Sequence, residues 1–66
     1  MTRDEALSIV ISIAEEWAQN TEEGLSGERI NPDDTDEHLR AEYDVDWEAA
    51  ARVRDIWRAI SILQQP

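Results

Sequence analysis

The first third of this chain carries an apolar stripe too wide for one neighbour to cover. At about 100° per residue, Leu7, Val10, Ile11, Ala14, Trp17 and Ala18 join Ala6, Ile9 and Ile13 in an arc of roughly 200°, with Ser8, Ser12, Glu15 and Gln19 outside it. A helix packed on a single partner buries a narrower stripe. Either two elements of the same chain must flank this helix, or a second copy must cover the remainder. Its start is marked by Thr2 and Glu5, spaced as a capping box, and by Asp4 and Glu5 where the helix dipole favours negative charge. Asn20, Thr21 and Gly24 mark its end, so a helix is expected over about residues 3–19.

A second amphipathic segment closes the chain. Asp44 and Asp46 are good N-cap residues, and from Trp47 to about Leu63 the positions Ala49, Val53, Ile56, Trp57, Ile60 and Leu63 form one face, with Ala50 at its edge. Arg52, Arg54, Asp55 and Arg58 lie off that face. Trp47, Ala51 and Ile62 lie off it too, so they either cover the middle of the chain or stand exposed.

Between these helices lie the 26 residues Thr21 to Asp46, longer than most structureless connections within a compact domain. Gly24, Gly27, Asn31 and Pro32 read as loop, with Leu25 and Ile30 available to anchor it. Thr35 can cap a short helix over about residues 36–43, in which Leu39 and Tyr43, at i and i+4, face inward. The expected fold is all-α: one domain over residues 1–66, a small bundle of two long helices with a short one in their connection. Ile13, Trp17, Val53, Trp57 and Ile60, near the centres of the two arcs, should be buried together.

A 66-residue chain buries only about 60% of the surface its unfolded form exposes. Without a cysteine it has no disulfide to help, so self-association into a homodimer is expected. Sixteen acidic residues against six arginines, and no lysine, give a net charge of -10. Such a field repels nucleic acid and anionic membranes and attracts basic protein surfaces. The acidic start lacks the positive region of a signal peptide, and no apolar run approaches the roughly 18 residues of a membrane span, so a cytoplasmic location is expected. No serine sits in a G-x-S-x-G setting, and the single histidine has no motif partner, so neither catalysis nor a cofactor is expected.

The charge is clustered: residues 33–48 read D-D-T-D-E-H-L-R-A-E-Y-D-V-D-W-E and hold eight of the sixteen acids. Carboxylates on short helices can present negative charge at phosphate-like spacings, so a basic groove built for nucleic acid could accept them. The candidate partner-binding residues are Asp33, Asp34, Asp36, Glu37, Glu42, Asp44, Asp46, Trp47 and Glu48. Trp47 either anchors a partner or folds over Trp17 to close the end of the bundle. A divalent ion on Asp34, His38 and Glu42 would require the short helix to begin a turn early, against Thr35. Two alternatives stand beside partner binding: a structural homodimer with a merely solvated acidic face, and a metal-binding bundle. In size, charge and lack of lysine the chain resembles the small inhibitors of phages and mobile elements, such as anti-restriction, anti-CRISPR and immunity proteins. That likeness rests on size and charge, covers no motif and transfers no residue role; the charge itself makes a basic protein, such as a nucleic-acid-binding one, the partner to expect.

Overall fold

A computed structural model of the protein describes residues 1–65. All of its regular structure is helical: α1 spans Arg3–Leu25, α2 Asp36–Tyr43 and α3 Trp47–Leu63, with a 3-10 turn at Asp44–Asp46 between the last two. Thr2 and Thr35 cap as their sequence settings indicate. Thr2 Oγ1 accepts from the Glu5 amide at 3.1 Å, and Thr35 Oγ1 from the His38 amide at 3.2 Å.

α1 runs six residues past Gln19, the end expected from Asn20, Thr21 and Gly24. Thr21 stays in the helix with its hydroxyl donating to the Trp17 carbonyl at 2.8 Å, and Glu22 and Leu25 carry the helix on because they continue the face that packs. The stop comes at Gly27. The amides of Ser26 and Gly27 both donate to the Glu22 carbonyl, at 3.0 and 2.9 Å, and Gly27 takes the positive φ of 77° that lets the chain leave the helix.

α2 and α3 meet at a sharp corner. Asp44 sits there at φ 51° and ψ -117°, the conformation of the first central residue of a type II′ turn, where glycine is the unstrained choice. Replacing Asp44 by glycine should therefore stabilise the fold by about 1 kcal/mol, relief of strain outweighing the extra entropy of the unfolded chain. Urea denaturation followed by circular dichroism reads this directly; a loss of stability would contradict it.

Contacts between α1 and α3 fix their relative direction. Glu22 meets Trp57, Glu15 and Gln19 share a groove with Ser61 and Gln64, and Arg3 to Val10 lie beside Leu63, so the two helices run antiparallel. α2 packs on α3 as well. The core comprises Ala18, Ile30, Leu39, Ala50, Val53, Trp57 and Ile60, with Ile11, Ala14, Leu25, Tyr43, Ala51 and Ile56 packed against it. Val53, Trp57 and Ile60 are buried together as expected, and Leu39 and Ile30 anchor the middle of the chain.

Ile13 and Trp17 do not join them. They are 63% and 43% exposed, because α1 turns a different line toward α3: Ile11, Ala14, Ala18, Glu22 and Leu25. Ala14 and Ala18 let the helices approach closely, and the bulk at the contact is supplied by Trp57 and Ile60 of α3. That line lies roughly 140° around the helix from Ile13. Ile9, Val10, Ile13 and Trp17 are consequently left bare.

Candidate protein-interaction surface

The acidic stretch surrounds one buried cation. Arg54 of α3 is only 7% exposed; its Nη1 donates to the Asp36 carboxylate and, at 3.2 Å, to the Asp34 carbonyl, while its Nε and Nη2 both lie 3.0 Å from Asp55. The Asp36 hydrogen bond does most to hold the guanidinium's pKa above its ordinary value; burial opposes it and Asp55 reinforces it. A raised pKa adds stability wherever the guanidinium is charged in both folded and unfolded chains, so this contribution does not vary across the physiological range. The start of α2 is thus clamped to the middle of α3.

The other arginines are largely committed elsewhere. Arg29 lies over the Trp57 ring at 4.4 Å and Arg40 over the Trp47 ring at 4.2 Å. Arg58 donates from Nε and Nη2 to the Pro32 carbonyl, at 3.1 and 2.8 Å. Among the described residues, Arg54 is the one arginine that forms ion pairs with carboxylates.

The nine candidate residues therefore separate by environment. Asp36 belongs to the Arg54 clamp. Asp34 is half-buried in the turn ahead of α2, its amide donating to the Asn31 carbonyl at 3.1 Å. Glu42 lies 3.1 Å from His38 Nε2. Asp33, Glu37, Asp44, Asp46 and Glu48 are exposed, with no basic group at ion-pair distance among the described residues. Trp47 is half-buried beneath Arg40 of α2. Beside it opens a shallow cleft of about 390 Å³ walled by Asp36, Glu48, Arg52 and Asp55.

The trio Asp34, His38 and Glu42 does not assemble. Thr35 holds the N-cap, so α2 does not begin a turn early and Asp34 falls off its face. Among the described residues no group of three His, Asp or Glu side chains could hold a metal ion.

One buried acid escaped the reading of the sequence. Glu22, 5% exposed, accepts from the Trp57 indole N–H at 2.6 Å and from the Ile30 amide at 2.8 Å, joining α1, the loop and α3 through one oxygen. Its signal was its position four residues beyond Ala18, on the packed line of α1; ending the helix at Gln19 hid it. No family model matches this chain, nor does any curated protein or solved structure. Among the described residues no helix is long and apolar enough to cross a membrane.

Proposed function

We propose that this chain is a protein-binding module that sets its acidic corner, the loop before α2, the α2–α3 junction and the first turn of α3, against a basic surface of another protein. One observation carries the reading. Among the described residues, Asp33, Glu37, Asp44, Asp46 and Glu48 stand exposed and unpaired on one contiguous segment, while of the neighbouring arginines Arg54 and Arg58 clamp the fold, Arg40 covers Trp47, and Arg52 alone stays free beside Glu48. Asp44 adds support, since an acid there occupies backbone better suited to glycine. The cleft beside Trp47 is of mixed charge, since Arg54 holds Asp36 and Asp55 and Arg52 stands near Glu48, so the reading rests on the exposed acids and not on the cleft.

The partner of matching chemistry is a basic, nucleic-acid-binding protein in the cytoplasm, with the module acting as an inhibitor or nucleic-acid mimic. No catalysis or cofactor enters this reading. The test is a triple reversal, Asp33→Lys, Glu37→Lys and Asp46→Lys, which leaves Asp34 and Asp36 to hold Arg54. Helical content should persist, because exposed substitutions of this kind usually change stability by less than about 0.5 kcal/mol each. Capture of a basic nucleic-acid-binding protein from lysate of the source should be lost in the variant. For the unaltered chain it should weaken steeply between about 0.15 M and 1 M salt, where the screening length falls from about 8 to 3 Å. Equal capture of the same partner by the variant would remove the proposal.

A second reading is a self-associating homodimer, two copies completing a helical bundle. It is favoured by the apolar residues of α1 that stand exposed among the described residues.

A further inference from the structure

We infer that a second copy of this chain covers the bare side of α1, the two helices lying antiparallel about a two-fold axis at Ile13. The inference rests on the self-association reading above and adds to it the face, the orientation and the register. Ala6, Ile9, Val10, Ile13 and Trp17 fall on one side of α1 at helical spacing and run about 17 Å along it. Leu63 of α3 extends the patch at its Val10 end.

Area favours a symmetric pair. The exposed apolar surface of these residues is on the order of 500 Å² per copy, at the upper end of what a monomer leaves contiguous. A two-fold pairing doubles it to about 1,000 Å², enough for a weak, concentration-dependent dimer and just below the roughly 1,200 Å² of stable ones. Shape then selects the orientation. The stripe is thin at Ala6 and thick at Trp17, so a parallel pair would stack tryptophan on tryptophan and leave a gap between the alanines. With the axis at Ile13 the sequence numbers of facing residues sum to twice thirteen: Trp17 lies over Ile9, and Ala6 faces Asn20.

Charge is compatible with a second copy and argues against the other occupants. The stripe itself carries no charge, and the acidic stretch sits on α2 and its junction with α3, away from the bare side of α1. Pairing through α1 therefore keeps the two acidic corners apart, beyond most of their screened repulsion. Glu5 and Glu16 border the stripe against the single arginine Arg3, and with the net charge of -10 an anionic lipid surface would be repelled. A basic partner would find no carboxylate within it to recognise.

The test uses sedimentation of the full chain from micromolar to millimolar concentration, with melting followed in parallel. A dimer is expected, with a melting temperature that rises with concentration. Ile13→Glu should leave circular dichroism unchanged, since the side chain is already 63% exposed. It should weaken dimerisation by at least about 100-fold, because a tenfold penalty enters once from each copy. The chain has no cysteine, so single replacements report the register without background. With a short bismaleimide, Ile13→Cys should link to itself. Ala6→Cys should link to Asn20→Cys in a mixture but not to itself, its two copies lying about 21 Å apart along the axis. A chain that stays monomeric with a constant melting temperature overturns both the interface and self-association. A dimer indifferent to Ile13→Glu, or one in which Ala6→Cys links to itself, overturns this interface and leaves self-association standing. Binding of the monomer to phosphatidylcholine vesicles that Ile13→Glu abolishes would assign the face to lipid and overturn the inference.

Discussion

Replacing Trp57 by alanine is expected to leave this protein largely unfolded. Removing a buried tryptophan costs about 3 to 5 kcal/mol, and a domain of this length holds only about 3 to 10 kcal/mol in all. The loss exceeds the cavity alone, since Trp57 fills the space beside Ala14 and Ala18, lies under Arg29 and donates its indole N–H to Glu22. Trp57→Phe separates these contributions. It keeps most of the ring and forfeits the hydrogen bond, so a smaller cost of about 1 to 2 kcal/mol is expected. Urea denaturation followed by far-ultraviolet circular dichroism measures both; a Trp57→Ala chain within about 1 kcal/mol of the parent would refute the central packing role.

Glu22→Ala should rank next, at about 2 to 4 kcal/mol. Truncation strands two donors, the Trp57 indole and the Ile30 amide, and each unsatisfied buried group costs about 1 to 3 kcal/mol. Glu22→Gln offers an amide oxygen to the same donors and gives up only the charge, so about 1 kcal/mol is the expected loss. The melting temperature of a domain this small falls by about 4 to 8 °C per kcal/mol, which separates the two variants readily. The pair also invites a cycle. If Glu22 acts through the indole, Glu22→Ala should cost less in a Trp57→Phe background than alone, and full additivity would show that its role lies with Ile30.

The helical content and both termini of α2 and α3 were legible in the sequence, because they depend on neighbours a few residues apart. Thr2 and Thr35 supply their hydroxyls to amides three residues on, and Leu39, Val53, Trp57 and Ile60 recur at helical spacing. The end of α1 was less legible. Asn20, Thr21 and Gly24 disfavour a helix interior by only about 0.5 to 1 kcal/mol each, and the tertiary anchoring of Glu22 and Leu25 outweighs them.

Of the candidate surface, sequence alone located the acids but not their separate fates. A charge pattern does not tell which carboxylate meets Arg54 and which meets water. Asp36 was placed with the others, yet it belongs to the clamp that holds α2 on α3, and Arg54, off the apolar face of its helix, is nonetheless buried by that clamp.

What the sequence by itself determined is the set of elements: an all-helical chain, its caps, the inward residues of α2 and α3, and an apolar arc on α1 wider than one neighbour can cover. Only the tertiary structure decided which part of that arc is used. Periodicity defines the breadth of an apolar face, but the line of contact within it is chosen by how closely two helices can approach. Ala14 and Ala18 admit Trp57 and Ile60, while Ile13 and Trp17, on the other side of the arc's midline, are too bulky for that approach and remain outside. The same choice turns Glu22 inward to meet Trp57, because once α1 is rotated to that line the helix carries its carboxylate into the core.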